Sequence, residues 1–156
     1  MHKPDLLHKI IATLNADLAI LTEAARTAHA AATHPECLPD NKYDTTGLEA
    51  SYIAQGQANR AQDIRRSLES YRNLVLRPFD DGTPIRLTAL VTIEADDGSC
   101  RQIFLGPDAG GLKLHEGDAV CIVITTESPL GRALLGKVSG DEVQIGRRTF
   151  TIVAVA

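Results

Sequence analysis

The sequence predicts an α+β protein, an antiparallel coiled-coil helical hairpin followed by a small antiparallel β domain with one short helix. Two observations carry this expectation. The first half places apolar residues at alternating spacings of three and four, the helical period, and the second half places them at every other position, the strand period. A stretch near Arg77 to Pro84, with Pro78, Pro84, Gly82 and Asp80-Asp81, separates the two. The expected domains are therefore 1–77 and 78–156.

The first helix is read from Leu7, Ile11, Leu14, Leu18, Leu21, Ala25, Ala28 and Ala32, an unbroken heptad seam. Pro4 suits a first helical turn and Asp5 complements the helix dipole there. Pro35 and Pro39 stop the helix, which at 1.5 Å per residue is about 45 Å long. A second seam follows at Ala50, Ala54, Gln57, Ala61, Ile64, Leu68, Tyr71 and Val75. Thr45 or Thr46 caps its start, with Glu49 placed as in a capping box, and Pro78 ends it. Two long seams with a short connector fold back as a hairpin. Ala25, Ala28 and Ala32 then face Ala50 and Ala54 near the connector, while Leu7, Ile11 and Leu14 face Ile64, Leu68 and Tyr71 at the open end. The expected hairpin is bulky at its base and weakly packed at its tip, because alanine contacts bury little apolar area.

In the second half, Ile85, Leu87, Ala89, Val91 and Ile93 alternate as in a half-buried strand. Asp97-Gly98 signals a hairpin turn, and Gln102 to Leu105 returns as a second strand. Gly106 to Gly111 reads as a loop, Ala119 to Thr125 as a third strand and Arg148 to Val155 as the last. Between them Ser128-Pro129 caps a short helix, Leu130 to Leu135, closed by Gly136.

Composition excludes several functions. The 156 residues are 44% hydrophobic and 23% charged, as in a folded domain rather than a disordered chain. A net charge of −4 argues against coating nucleic acid by bulk charge. With 4% aromatics and no Trp, base-stacking platforms and aromatic cages are not expected. No apolar run is long enough to span a membrane, and no secretory signal opens the chain. Cys37, Cys100 and Cys121 are an odd, widely spaced set that fits a reducing cytoplasm better than a disulfide framework.

Chemistry is concentrated in His34 to Glu49, where Glu36, Asp40, Asp44 and Glu49 face a single Lys42. Carboxylate oxygens are natural ligands of Mg²⁺, which keeps several waters and takes one or two protein carboxylates. The alternative is a solvated acidic loop in which Glu49 only caps a helix. His29, His34 and Cys37 lack the fourth ligand and the spacing of a structural zinc site. Gly106-Pro107-Asp108-Ala109-Gly110-Gly111 lacks the Lys-Ser/Thr and the helix of a phosphate-binding loop, so it reads as a turn. Arg60, Arg65 and Arg66 on the second helix read either as a solvated face or as a contact to RNA or channel walls.

Ser128-Pro129-Leu130-Gly131-Arg132-Ala133-Leu134-Leu135-Gly136-Lys137 resembles the C-terminal signature of the GreA/GreB transcription-factor family. Asp141-Glu142-Val143 and Thr151 to Val155 look like that family's closing strands, and the helical hairpin looks like its coiled-coil prong. The resemblance implies an FKBP-like second domain that docks on bacterial RNA polymerase beside the secondary channel, with Ser128 and Pro129 as contact residues. It implies a prong that enters the channel. There the tip carboxylates, Asp44 helped by Glu49 and Asp40, assist the polymerase in cleaving backtracked transcripts. Asp44 would contribute to a Mg²⁺ shared with the polymerase. The factor would need no cofactor in isolation, would not be an enzyme alone, and would touch nascent RNA only indirectly. The family's cleavage factors carry an Asp and a Glu three positions apart. Here Gly47 stands three after Asp44, and the next acid, Glu49, stands five after it. Two readings therefore stay open, a cleavage factor and a channel-occupying regulator that does not cleave. A prolyl isomerase is a third, for which the second domain offers only Phe79, Phe104 and Phe150.

Overall fold

The computed structural model describes residues 1–33 and 46–156. Two long helices, α1 (Lys3–Thr33) and α2 (Thr46–Arg72), precede β1 (Leu90–Ala95), β2 (Cys100–Gly106), β3 (Lys113–Glu116) and β4 (Ala119–Thr125). A short α3 (Pro129–Leu134), β5 (Glu142–Ile145) and β6 (Arg148–Val155) complete the chain. The expected connector and tip, including Glu36, Asp40, Lys42, Asp44 and the Thr45 cap, lie outside the described residues. The stretch 77–84 is free of helix and strand.

The chain forms two compact units that divide within the helices. One is Met1–Ile11 with Ser70–Ala156, and the other is Ala12–Glu69. In the second unit the seam residues Leu14, Ala54, Ala61 and Leu68 are buried, and a crevice lined by Ala25, His29, Ser51, Ala54, Gln55 and Ala58 lies between the two helices. Late α1 thus lies beside early α2, as the hairpin expectation requires. Gln57 occupies a seam position with its Oε1 buried and unpartnered among the described residues. A polar side chain in such a seam fixes register at a cost in stability.

At the base the expected seam slips by one residue. Leu6 and Ile10 are fully buried, while Leu7 and Ile11 are only half-buried. The first eleven residues of α1 belong to the same unit as the sheet, so the sheet, and not only α2, decides which helix face is covered. Lys9 pairs with Glu116 of β3 at 3.4 Å, and Tyr71 Oη donates to the Asp108 carbonyl at 2.8 Å. Val75 does not extend the second seam, because α2 ends at Arg72 and Val75 is 77% exposed.

The six strands form one sheet in the order β3-β4-β2-β1-β6-β5. Four pairings are antiparallel, but β2 and β4 run parallel, in register from Gln102↔Cys121 to Gly106↔Thr125. The expectation of a purely antiparallel sheet is corrected here, and the cause is β3, which was not expected. It adds one chain reversal between β2 and β4, so β4 returns beside β2 in the same direction. Its four residues bury only Leu114, too few to show an alternation.

Strand alternation gives the sheet two packed faces. Val91, Ile93, Ile103, Leu105, Phe150 and Ile152 join Leu134 of α3 in one core cluster. Leu90, Phe104, Cys121 and Val123 are also buried but lie outside that cluster. Gly106 closes on Tyr71, since a Cβ there would meet Tyr71 Oη at 2.1 Å. That steric need explains this glycine without any phosphate. Burial and the Asp108 carboxylate together push the Tyr71 hydroxyl well above its ordinary pKa.

The first strand starts at Leu90 rather than Ile85, and Thr88 is the reason. It sits in the left-handed region at φ 76°, in a turn closed by the Ala89 amide donating to the Arg86 carbonyl at 3.0 Å. Such a turn favours glycine at Thr88's position, and the conformation costs an L-residue about 1–2 kcal/mol. Thr88 is nonetheless buried, at 1% exposure.

Candidate functional site

The Ser128 segment is fixed at both ends. Ser128 has extended geometry, and its Oγ accepts from the Gly131 amide at 3.1 Å while donating to the Thr125 carbonyl at 2.8 Å. This is the expected N-cap, with Pro129 as the first helical residue. Gly131 is buried against the end of β4, where a Cβ would lie 2.0 Å from the Thr125 carbonyl oxygen. Gly136, at φ 79°, closes the helix and donates to the Ile85 carbonyl at 2.9 Å, while the Ile85 amide donates to the Lys137 carbonyl at 2.8 Å.

Leu134 is fully buried, and Leu130 and Ala133 pack on the same cluster. The outward surface consists of Glu127, Pro129, Arg132 and Leu135, the last 39% exposed. Ser128 is half-buried with its hydroxyl engaged in the cap, and Pro129 is exposed. Arg132 and Leu135 were not singled out from the sequence. Their signal was available in the helical spacing, which places them off the Leu130–Leu134 side.

Asp40 and Asp44 lie outside the described residues, and Glu49 is exposed in the first turn of α2. Gly47 is already within that helix, so this position carries backbone and no carboxylate. Leu48, Tyr52 and Ile53 are more than half exposed around it, at 52%, 68% and 59%. Among the described residues, no three of His, Cys, Asp and Glu form a group that could hold a metal. Of the candidate tip carboxylates, Glu49 is the one among the described residues, so ligands beyond them or from a partner would have to complete any Mg²⁺ site there.

The remaining candidates have local roles. Arg60, Arg65 and Arg66 are exposed, with Arg65 donating to Gln62 at 3.2 Å and Arg66 paired with Asp63. Cys121 is buried, and that burial raises its thiol to about 11, whereas Cys100 is exposed beside Glu94 at 3.6 Å. Phe104 and Phe150 are fully buried, and Phe79 carries the Lys3 ammonium 4.6 Å over its ring. Asp97 shapes the β1–β2 turn by accepting from Ser99 Oγ at 2.5 Å and from the Ser99 amide at 2.9 Å. It also accepts from Arg148 at 3.0 Å. The Ser99 hydroxyl, more than the other partners, holds its carboxyl at about 2.

The chain is 38% identical over 115 residues to a transcription elongation factor GreA of Maridesulfovibrio salexigens, covering 70% of this chain and 68% of that protein. It is 31% identical over 119 residues to a GreA of Nitratidesulfovibrio vulgaris, covering 72% and 70%. Among solved structures, it is similar to GreA factor homolog 1 of Thermus thermophilus, at 23% identity, a TM-score of 0.40 and coverage of 94% of each chain. No protein-family model matches the chain.

Proposed function

The chain belongs to the GreA/GreB family of transcription elongation factors, and on that premise we propose that it binds bacterial RNA polymerase at the secondary channel and stimulates cleavage of backtracked transcripts. The observation that carries the reading is the 38% identity to a curated elongation factor over 115 residues. In this reading the α3 segment docks. Pro129, Arg132 and Leu135 face the polymerase, and Ser128 acts through the cap that holds them in place. A surface fixed before contact loses little conformational entropy on binding.

The hairpin delivers carboxylates to the polymerase active site, in the cytoplasm. Asp44, helped by Glu49 or Asp40, adds oxygen ligands to a Mg²⁺ that the polymerase largely holds. That ion, when bound, supplies charge neutralisation and an activated water for phosphodiester hydrolysis. The chain itself contributes carboxylates and position, so it is an accessory factor and makes no more than indirect contact with RNA.

A second reading has its own observation. Gly47 lies inside α2 at the spacing where the cleavage factors carry their second acid, and Glu49 stands two residues further on. A regulator that occupies the channel without cleaving follows if Glu49 cannot serve in its place. Purified protein added to a stalled, backtracked complex separates the two. The first reading predicts RNA shortened from its 3′ end. The second predicts altered elongation with RNA length unchanged, and failure to associate with polymerase overturns both.

A further inference from the structure

We propose that Thr88 and Lys3 are a positioning pair, fixing the base of α1 and the linker after α2 to the sheet so that the docked factor acts on its partner from a defined ground. The proposal rests on the polymerase reading above for its consequence, and on the following geometry for its existence.

Thr88 is a buried β-branched residue held at φ 76°, where glycine would sit without strain. Strained backbone of this kind persists only where its surroundings over-determine it, and it concentrates at clamps and functional sites. Each polar group of Thr88 serves a different segment. Its amide donates to the Leu105 carbonyl of β2 at 2.8 Å. Its Oγ1 accepts from the Arg77 amide of the linker at 3.0 Å. Its carbonyl accepts from Lys3 Nζ of α1 at 3.3 Å. Glycine would relieve the strain but leave the Arg77 amide without its acceptor.

Lys3 closes the arrangement. Its ammonium also donates to the Arg77 carbonyl and lies 4.6 Å over the Phe79 ring, so both neighbours of Pro78 at the start of the linker are tied to the first residue of α1. Partial burial of this ammonium lowers its pKa. Among the described residues, this ammonium has two carbonyl acceptors and an aromatic face, which hold it by geometry, as a positioning element requires.

Three variants test the pair. Thr88→Val keeps branch and volume but removes the hydroxyl, Thr88→Ser keeps the hydroxyl, and Lys3→Met keeps the aliphatic stem. Amide hydrogen exchange reads the clasp, and Thr88→Val is expected to speed exchange at Arg77 by about tenfold while Thr88→Ser stays near wild type. Titration against a polymerase complex reads the consequence. Thr88→Val and Lys3→Met are expected to lower the maximal effect by about threefold, leave the half-effective concentration within about twofold, and regain the maximum in Thr88→Ser. An unchanged maximum in both variants overturns the proposal. So does a loss that tracks the thermal unfolding temperature and is not restored by serine. If wild type has no effect on polymerase, the polymerase reading fails and the Arg77 exchange decides the clasp. Unchanged exchange in Thr88→Val then overturns it.

Discussion

The unit formed by Met1–Ile11 and Ser70–Ala156 and the unit formed by Ala12–Glu69 are built on different physical terms. The first buries Tyr71, Phe104, Phe150, Leu6 and Ile10 completely. Among the described residues, the second buries Leu14 and Leu68 toward one end and, of apolar side chains, only Ala54 and Ala61 further along, while Ile20, Leu48, Tyr52 and Ile53 remain more than half exposed. Apolar burial contributes roughly 25 cal/mol per Å², so the large side chains put most of the packing energy in the first unit. The difference teaches a division of labour. In the proposed reading the well-packed unit holds the docking segment, and the alanine-seamed hairpin has little core to disturb on meeting a partner.

The largest test of this contrast is Phe104→Ala. It removes a fully buried ring from the sheet and is expected to cost about 3–5 kcal/mol in denaturant unfolding. A cost below about 1 kcal/mol would show that the sheet unit is not the stable one. Next is Gly131→Ala, whose new methyl would press on the Thr125 carbonyl oxygen and lie 3.0 Å from Ser128 Oγ. Expected are a loss of about 1–3 kcal/mol and weaker association with polymerase, since the α3 cap must shift. Wild-type stability and association in this variant would separate α3 geometry from docking.

Much of this contrast was legible in the sequence. The heptad seams identified both helices, the alanine run identified the lightly packed region, and Ser128-Pro129 with Gly136 identified α3 and its cap. Three features were not legible, each because a tertiary contact overrides a local pattern. The sheet turns the base of α1 so that Leu6 and Ile10 replace Leu7 and Ile11 in the core. Thr88, an ordinary strand residue by type, adopts a glycine-like conformation and delays β1 to Leu90. The edge strand β3 buries a single leucine and so leaves no alternation, yet it determines that β2 and β4 are parallel. Of the candidate site, the cap was readable from residue types alone. The outward Arg132 and Leu135 were readable from the helical spacing but were not singled out.

A smaller effect sharpens the contrast from the hairpin side. Gln57→Leu replaces a seam residue whose buried Oε1 is unpartnered among the described residues, and it is expected to stabilise the chain by about 1 kcal/mol. Destabilisation instead would mean that this oxygen has a partner that fixes register. Smallest is the β1–β2 turn. Asp97 has its pKa lowered to about 2, so its contribution is present above the ordinary carboxylate range and is lost as pH falls through about 2. Ser99→Ala is expected to move the Asp97 titration upward in a carboxyl NMR experiment, with little change at neutral pH. An unmoved titration would assign the shift to the Ser99 amide and Arg148 instead.

The central claim is that one region docks and the other delivers carboxylates. Asp44→Ala, compared with wild type on a stalled, backtracked RNA polymerase complex, tests it most directly when RNA length and co-purification are measured together. The account predicts that both proteins co-purify with the polymerase and that only wild type shortens the RNA from its 3′ end. Equal shortening by both proteins, or failure of both to co-purify, would contradict it.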